Sequence, residues 1–377
     1  MLKVTRSVLK NNIKLIKVGN KKVGPNQPCF VIAEAGVNHN GNVDQAKQLI
    51  DVAVEAGADV VKFQTFFADK IVTKAADRAK YQKKNIGGQE TQWQMLKKLE
   101  LDKKAFSSLK KYAESKGIMF LSTPYDKDSV DLLKDIGVAA FKVSSADITN
   151  HPLLEYMAKK GLPIIFSRGM SYKEEIKEAI EVMKSSGNQD LILLHCHFNY
   201  PTDIADTNLR MIATLKKEFG LVTGYSDHTP GIEAAMAAVA LGAEVIEKHF
   251  TLDKNLAGPD HKASLEPDEL KIMIKGIRDI ERALGSRRIT VTKNEAPMRE
   301  VSRKSLVSVR KIKKGVKITP VMVAVKRPGT GIGPKHFKDL IGKTARKEIP
   351  ADTIIDPDAI SRLDVKSLTI GNKAKKL

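Results

Sequence analysis

The sequence feature that most constrains the fold is a unit that recurs eight times between residues 28 and 285. Each unit contains an apolar strand, a polar loop and an amphipathic helix, and a glycine commonly precedes the next strand. A glycine at a helix end followed by a continuous apolar strand is typical of a parallel sheet. The eight predicted strands cover residues 29–33, 60–63, 118–122, 139–143, 163–167, 191–195, 221–225 and 244–249.

Eight such units within roughly 250 residues are expected for an α/β fold of the (β/α)8 TIM-barrel type. The alternative is a doubly wound open sheet. That fold usually carries a glycine-rich dinucleotide loop after its first strand, and residues 34–41 do not have this pattern. The sequence therefore favours the barrel.

The segments outside the repeat predict a second, smaller domain. Two short alternating runs within residues 1–27 predict an N-terminal hairpin. Residues 286–303 are polar and are interpreted as a linker, and residues 304–370 are predicted to form a small β-rich domain with a weak internal repeat. Residues 371–377 are expected to be a disordered tail.

A long insertion, residues 66–101, follows the second predicted strand. A polar insertion of this length above a barrel rim is usually a functional lid or a disordered loop. Trp93, Met95 and Leu96 predict that its second half is a packed helix.

Composition limits the location of the protein. The chain has 42% hydrophobic and 29% charged residues and no run of about 18 apolar residues, so we expect no membrane-spanning helix. The N-terminus lacks the apolar region of a secretory signal. Cys29 and Cys196 lie in apolar runs and are interpreted as buried, reduced thiols of a cytoplasmic protein.

The net charge of +20 is concentrated at one end of the chain. From Ser286 onward there are 23 Lys and Arg against eight Asp and Glu, so +15 of the net charge lies in the last quarter. Such a balance fits nucleic acid, an anionic surface or anionic small substrates, and a lysine excess also serves solubility. No aromatic residues interleave the basic ones, which argues against a platform for single-stranded nucleic acid.

Polar side chains at the carboxyl ends of the predicted strands are the candidate site, because barrel enzymes place their active sites there. Lys62 and Lys142 stand out because each lies inside an apolar run. A buried lysine is costly unless an anion meets it. That anion is either an internal partner, Glu34 or Glu247, or a bound phosphate or carboxylate.

His228 and His249 come at the ends of two successive predicted strands, each beside a carboxylate, Asp227 or Glu247. Neighbouring parallel strands end side by side, so the two imidazoles are predicted to share one divalent metal ion. The alternative is that each histidine is a hydrogen-bonded polar residue near the core.

These strand-end motifs together resemble the sialic acid (N-acetylneuraminate, or nonulosonate) synthase family over nearly the whole chain. The motifs are AEAGVNHNG at 33–41, VKFQT at 61–65, STPYD at 122–126, FKVSS at 141–145, GYSDHT at 224–229, EKHFT at 247–251, GPDH at 258–261 and KRPGTGI at 326–332. The resemblance implies a transferase that condenses phosphoenolpyruvate with an N-acetylmannosamine-type sugar to give a nine-carbon 2-keto acid and phosphate. It also implies a C-terminal SAF domain, similar to type III antifreeze protein, and a domain-swapped homodimer.

The resemblance assigns a role to each candidate residue. Glu34, Lys62 and Lys142 are implied as catalytic, and His228 and His249 as ligands of a divalent metal, Mn²⁺ with Mg²⁺ or Co²⁺ as alternatives. The residues implied in binding phosphoenolpyruvate or the N-acetylated amino sugar are Gln64, Thr123, Ser145, Ser167, Tyr200, Asp227, Glu247, Asp260 and, from the partner subunit, Arg327.

Three departures from the family pattern leave the sugar open. Arg168 replaces a threonine that is usual in the family, and His197 and Phe198 stand where relatives often carry small polar residues. The alternative substrate is a 2,4-diacetamido-trideoxyhexose of the legionaminic or pseudaminic type. Two further hypotheses are a synthase of shorter keto-deoxy sugar acids, which needs no C-terminal module, and a non-catalytic protein that binds a polyanion. The intact strand-end residues argue against the second of these. No nucleic acid or membrane partner is expected.

Overall fold

The eight predicted strands form one parallel sheet in the computed structural model of the protein, which describes residues 13–361. The barrel strands are β3 Phe30–Gly36, β4 Val60–Thr65, β5 Met119–Pro124, β6 Phe141–Val143, β7 Ile164–Ser167, β8 Leu191–Cys196, β9 Val222–Asp227 and β10 Val245–His249. The sheet curls into a nearly closed barrel with the order β5-β4-β3-β10-β9-β8-β7-β6. The predicted TIM-barrel fold is therefore confirmed.

The predicted N-terminal hairpin is also present: β1 Ile16–Val18 pairs with β2 Lys21–Val23 in antiparallel register. Helices follow the barrel strands, with α1 at Val43–Ala56, α5 at Lys103–Ser115, α6 at Lys127–Ile136, α7 at His151–Ala158, α8 at Lys173–Ser185, α9 at Met211–Phe219, α10 at Glu233–Ala240 and α11 at Pro267–Leu284. Within residues 13–361, no helix is long and apolar enough to cross a bilayer.

The long insertion is largely helical. It contains α2 Ala68–Ile71, α3 Lys80–Ile86 and α4 Gln92–Leu99, so the predicted helix in its second half is confirmed. Thr91 caps α4, because its hydroxyl accepts a hydrogen bond from the Gln94 amide at 3.3 Å. Met95 and Leu99, four residues apart on α4, are buried, so this segment packs onto the barrel through one face.

Strand register aligns the candidate site residues across the barrel. Glu34 on β3 lies opposite both Lys62 on β4 and His249 on β10. Gln64 on β4 lies opposite Thr123 on β5. Because side chains alternate between the two faces of a strand, residues two apart point to the same side. The barrel interior therefore collects alternate residues from each strand at its carboxyl end.

The chain divides after Gly285, and the second unit has its own core. It contains α12 Ala296–Ser302, β11 Ser305–Ser308, β12 Val323–Lys326, α13 Phe337–Leu340 and β13 Thr353–Ile354. β11 pairs with β12 and β13 in an antiparallel sheet. Helix α12 lies within the segment interpreted as a linker from its polar composition. The predicted tail lies outside the described residues.

The weak internal repeat of the second unit has a structural counterpart. The two halves are residues 309–320 and 345–357. Ile312 and Ile349, one from each half, form an antiparallel bridge, and both are buried. A second antiparallel bridge joins Lys317 to Thr344, directly before the second half. The two halves of the repeat are thus paired across the unit and share one core.

Gly224 on β9 provides a test of the barrel packing. A Cβ atom at this position would lie 2.4 Å from the Val245 carbonyl oxygen and 2.6 Å from the Val245 Cβ. We expect Gly224→Ala to lower the free energy of unfolding by about 2–3 kcal/mol, because the backbone of β10 would have to move. Urea denaturation followed by circular dichroism measures this change.

The matched control is Gly276→Ala on α11, whose new Cβ would meet only the flexible end of Met236. It should change stability by less than about 1 kcal/mol, because alanine also favours the helix. Equal stability of Gly224→Ala and wild type would show that β9 and β10 do not pack as described.

Candidate active site

A polar cavity opens at the carboxyl ends of the barrel strands, where the sequence predicts the site. We call it the catalytic cavity. Its lining residues are Glu34, Lys62, Gln64, Thr123, Tyr125, Lys142, Ser144, Ser145, Ser167, Cys196, Phe198, Tyr200, Ser226, His228, Glu247 and His249. The structure thus brings together eleven of the predicted site residues.

Lys62 lies at the centre of one half of this cavity. Its ammonium is 2.7 Å from Glu34 Oε2 and donates to Thr123 Oγ1 at 3.0 Å. Gln64 Nε2 donates to the other oxygen of Glu34 at 3.4 Å. Glu34 and Lys62 are both buried, so each charge is compensated mainly by the other.

Lys142 occupies the other half. Its ammonium donates to Ser167 Oγ at 2.7 Å and to the Val143 carbonyl at 2.9 Å. Glu247 lies between the two lysines, with one oxygen 3.7 Å from Lys142 and the other 3.7 Å from Lys62. The Ser226 hydroxyl donates to Glu247 at 3.0 Å.

The sequence offered Glu34 or Glu247 as an internal partner of the two lysines, and both glutamates lie beside them. Two carboxylates and two ammonium groups share one buried site, and their formal charges cancel. Such a cluster can bind an anion by exchanging one of its internal partners for the ligand, because both lysines lie at the cavity wall.

Glu34 is the member of this cluster whose carboxyl pKa lies near neutral pH. Burial raises the pKa of its carboxyl to about 7, against the opposing attraction of Lys62. For Glu247 burial also acts upward, but Lys142 and Lys62 outweigh it and the pKa is lowered. A carboxyl that titrates near 7 is suited to general acid–base catalysis, and Glu247 is left as a permanent anion beside the lysines.

His228 and His249 lie together on the cavity wall, with ring centroids 5.4 Å apart. His228 Nδ1 is 2.6 Å from the His197 carbonyl oxygen, so this nitrogen carries a proton and Nε2 is the ring nitrogen that could bind a ligand. Nδ1 of His249 is buried without a hydrogen-bond partner. Burial, reinforced by His228, holds the pKa of His249 well below its usual range.

For His228 burial acts to lower the pKa, but Cys196 and the His197 carbonyl outweigh it and the pKa is raised. Two imidazoles on one wall, each able to present a ring nitrogen once it is deprotonated, suit a divalent metal ion. Within residues 13–361, no group of three or more His, Cys, Asp or Glu side chains is arranged to hold a metal by itself. The residues present therefore fit a metal site that takes its remaining ligands from water or substrate, as open catalytic sites do.

Asp227 does not reach the catalytic cavity. Its carboxylate accepts hydrogen bonds from Lys248 Nζ at 2.7 Å and from the Thr229 amide and hydroxyl at 2.9 and 2.8 Å. The ion pair with Lys248 is completely buried. Because Ser226 and His228 point into the barrel mouth, the residue between them points to the other face of β9, and Asp227 stabilises the packing behind the site.

Asp260 lines a second, larger cavity that adjoins the first, and Tyr200 lines both. The Tyr200 ring lies 4.1 Å from that of His228 and stacks on Tyr81 of the insertion at 5.2 Å. Burial raises the pKa of Asp260 to about 6. Tyr200 therefore joins the two cavities beside His228 and His249.

Several wall residues received no role from the sequence, among them Tyr125, Ser144 and Ser226. Ser226 and Tyr125 each lie two residues from a predicted site residue, so the alternation of a strand was the available signal. Tyr81 had no such signal because it lies in the insertion. The predicted Arg327 belongs to the second unit, where its Nε donates to the Ser302 carbonyl at 3.1 Å.

Two protein-family models match the chain: the NeuB family over residues 49–288 and the SAF domain over residues 303–361. The N,N'-diacetyllegionaminic acid synthase of Legionella pneumophila is 45% identical over 89% of this chain and 96% of its own length. The enzyme of the same name from Campylobacter jejuni is 47% identical over 86% and 98%. The crystal structure of an N-acetylneuraminic acid synthetase from Leptospira borgpetersenii aligns with a TM-score of 0.67 and 38% identity, covering 76% of this chain and 95% of that one.

The two histidines predict a direct binding result. Isothermal titration of the purified, chelator-treated protein with Mn²⁺ should show one site, and His228→Ala and His249→Ala should each weaken it by at least about 100-fold, because each removes a metal ligand. His151→Ala, at the start of α7 and away from the cavity, is the matched control. Unchanged Mn²⁺ affinity in both site variants would contradict the assignment.

Proposed function

Because the chain belongs to the NeuB family, we propose that it is a nonulosonate synthase. It condenses phosphoenolpyruvate with an N-acetylated amino sugar to give a nine-carbon 2-keto sugar acid and inorganic phosphate. The observation that carries this proposal is the buried cluster of Lys62, Lys142, Glu34 and Glu247, which lies among hydroxyl groups beside two histidines.

The cluster is suited to phosphoenolpyruvate, which carries up to three negative charges. Lys142 with Ser167, and Lys62 with Thr123, form two pairs of cationic and hydroxyl donors. The Ser145 hydroxyl, which accepts from the Gly169 amide at 3.0 Å, lies on the same wall. Two separate donor groups match a ligand with one phosphate and one carboxylate, and they fix its orientation.

The reaction forms one carbon–carbon bond and breaks one carbon–oxygen bond. C3 of phosphoenolpyruvate attacks the aldehyde carbon of the open-chain sugar, and the aldehyde oxygen takes up a proton to become a hydroxyl. Water adds at C2 and loses one proton, which leaves a hydroxyl on the tetrahedral carbon. That carbon expels phosphate by cleavage of its bond to oxygen, and loss of the hydroxyl proton leaves the keto group. Lys62 and Lys142 stabilise negative charge on the leaving phosphate and the carboxylate throughout.

Glu34 is the proposed acid–base group for the water that adds at C2. It lies beside Lys62 and Gln64 at the cavity wall. Its raised pKa leaves it able to accept a proton near neutral pH. Lys62 holds the carboxylate in place, and the position of Lys62 in turn depends on Thr123.

The proposed cofactor is a divalent metal, Mn²⁺ with Mg²⁺ or Co²⁺ as alternatives, held by His228 and His249. When bound, it supplies Lewis-acid polarisation of the sugar aldehyde. The chain contributes the orientation of its ligands: the His197 carbonyl fixes the His228 ring, and Tyr200 packs against both imidazoles.

Two sugars are candidates. One is N-acetylmannosamine, as the family resemblance implies. The other is a 2,4-diacetamido-trideoxyhexose, and the identities support its legionaminic type: two legionaminic acid synthases are 45% and 47% identical to this chain, against 39% for the human N-acetylneuraminate-9-phosphate synthase and 34% for a pseudaminic acid synthase. Gln64, Tyr200 and Asp260 are the proposed contacts to the sugar.

We also propose a cytoplasmic homodimer in which Arg327 acts on the partner's sugar. This follows from the family resemblance and from the place of Arg327 in the SAF domain. Light scattering of the purified protein measures the assembly state, and an active monomer would exclude the role of Arg327 between subunits.

The reaction itself is tested by phosphate release. Purified protein, phosphoenolpyruvate and Mn²⁺ should release inorganic phosphate only when an acceptor sugar is present, and excess chelator should abolish the release, because C–O cleavage follows C–C bond formation. Sugar-independent release would indicate a phosphatase. No release with any amino sugar from folded, metal-loaded protein would reject the proposal.

Glu34 gives a pH prediction. We expect kcat/KM to rise with pH through about 7, because the base must be deprotonated and burial has raised its pKa. Glu34→Gln should lower kcat by about 100- to 10,000-fold and remove this rise from the residual activity. Glu155→Gln, on the exterior helix α7, is the matched control. Wild-type turnover in Glu34→Gln would exclude the acid–base role.

A further inference from the structure

Lys248 carries a buried charge that takes no part in the proposed reaction. Its side chain and that of its partner Asp227 are completely buried, and the ammonium lies 2.7 Å from the carboxylate. Neither residue lines the catalytic cavity. A buried ion pair is weak evidence for stability by itself, because desolvation of the two charges offsets much of their attraction. Its place in the sheet indicates a more specific role.

The ion pair occupies the last paired position between two neighbouring strands. Strands β9 and β10 run parallel, and the final Cα partners in their register are Asp227 and Lys248. His228 directly follows the first of these residues, and His249 directly follows the second. The pair therefore joins the two strands immediately before both of the histidines on the cavity wall.

The sheet holds the two histidines unequally. His249 is the last residue of β10 and is paired with Glu34 of β3 on the other side of that strand. His228 follows the last residue of β9 and lies beyond the paired positions of that strand. Its carbonyl accepts a hydrogen bond from the Thr202 amide at 2.8 Å. The position of His228 therefore depends on side-chain contacts of its sequence neighbours.

Lys248 contacts the residues on both sides of His228. Its ammonium donates to the Asp227 carboxylate at 2.7 Å and to the Thr229 carbonyl at 2.6 Å. The same carboxylate accepts from the Thr229 amide at 2.9 Å and from its hydroxyl at 2.8 Å. Hydrogen bonds of charged groups are the stronger ones. Asp227, Thr229 and Lys248, which we call the Lys248 cluster, thus fix the backbone around His228 to strand β10.

From this arrangement, we propose that Lys248 is a positioning residue of the metal site. Through Asp227 and Thr229 it sets the place of the His228 imidazole relative to that of His249. The inference rests on the proposed binding of a divalent metal by these two histidines. Two side chains supply only part of a coordination shell, so the affinity depends on how well they are oriented before the metal binds.

Mn²⁺ binding tests this inference independently of activity. The double variant Asp227→Asn/Lys248→Met removes both charges, so that no unpaired charge is buried, and asparagine keeps an acceptor oxygen for Thr229. Isothermal titration of the chelator-treated variant should show Mn²⁺ binding about 10- to 100-fold weaker than in wild type, as is typical when a partner of a metal ligand is lost.

Phosphoenolpyruvate binding, measured without metal or sugar, distinguishes positioning from general damage. Its affinity should change by less than about 2-fold in the double variant, because Lys62 and Lys142 lie in the catalytic cavity and the ion pair lies behind its wall. Weaker Mn²⁺ binding with unchanged phosphoenolpyruvate binding supports the inference. Parallel loss of both affinities, or unchanged Mn²⁺ affinity, would show that the pair is merely structural and would overturn it.

The matched control removes an ion pair at the amino ends of the same strands. Glu244, directly before β10, pairs with Lys216 and accepts from the Thr223 amide of β9 at 3.1 Å. Lys216→Met/Glu244→Gln should leave the Mn²⁺ affinity within about 2-fold of wild type, because this pair is remote from the histidines. Equal weakening in both double variants would indicate a general effect on the sheet and would also overturn the inference.

A milder variant serves if Asp227→Asn/Lys248→Met does not fold. Thr229→Val has a similar shape and removes only the hydroxyl that donates to Asp227. We expect Mn²⁺ binding to weaken by about 3- to 5-fold, since one hydrogen bond of the Lys248 cluster is lost. Unchanged affinity in this variant would contradict the positioning role.

The proposed metal site and the role of Lys248 can fail separately. Wild-type Mn²⁺ binding that does not depend on His228 and His249 would reject the metal site and the inference with it. Binding that depends on both histidines but not on the Lys248 cluster keeps the metal site and overturns the inference alone.

Discussion

The mouth of this barrel buries two lysines and two glutamates within contact of one another, and the rest of the site depends on that arrangement. Isolated charges at this depth would be costly, but here Lys62 pairs with Glu34, and Glu247 lies between Lys62 and Lys142. The formal charges of the cluster cancel when both glutamates are ionised, and the two ammonium groups lie at the cavity wall. Burial, opposed by Lys62, raises the pKa of Glu34 to about 7. In the proposed mechanism, anion binding and proton transfer both depend on this cluster.

The sheet supplies the geometry that this balance requires. Parallel strands bring Glu34, Lys62 and His249 into one row across three neighbouring strands. The side chains at the intervening strand positions point to the other face of the sheet. There Asp227 and Lys248 form a completely buried ion pair behind the cavity wall. The insertion adds a second cavity, lined by apolar and amide side chains, that shares Gln64 and Tyr200 with the charged one.

Much of this organisation could be predicted from the sequence because it is written in local patterns. Continuous apolar runs, most of them preceded by a glycine, located the eight strands, and lysines inside two of those runs predicted the buried charged cluster. Asp227 was grouped with the site because it adjoins His228, although strand alternation directs neighbouring side chains to opposite faces.

Other features could not be predicted from local patterns. The position of Tyr81 depends on how the insertion folds over the barrel, and no periodic sequence pattern indicates that. Helix α12 was interpreted as linker because its segment is polar and contains Pro297, and none of the helix residues is buried. The relation of Arg327 to the sugar depends on assembly, and a single chain's sequence carries no direct signal for that.

The central claim is that the charged cluster binds phosphoenolpyruvate and that the reaction expels phosphate from carbon. The most direct test follows oxygen in the reaction of phosphoenolpyruvate labelled with ¹⁸O at the bridging position between C2 and phosphorus. Mass spectrometry of both products, with Mn²⁺ and the accepted sugar, locates the label. The account predicts that ¹⁸O leaves with inorganic phosphate and that the keto oxygen of the nine-carbon acid comes from water. Retention of ¹⁸O in the sugar acid would show cleavage of the phosphorus–oxygen bond and would contradict the roles given to the lysines and Glu34.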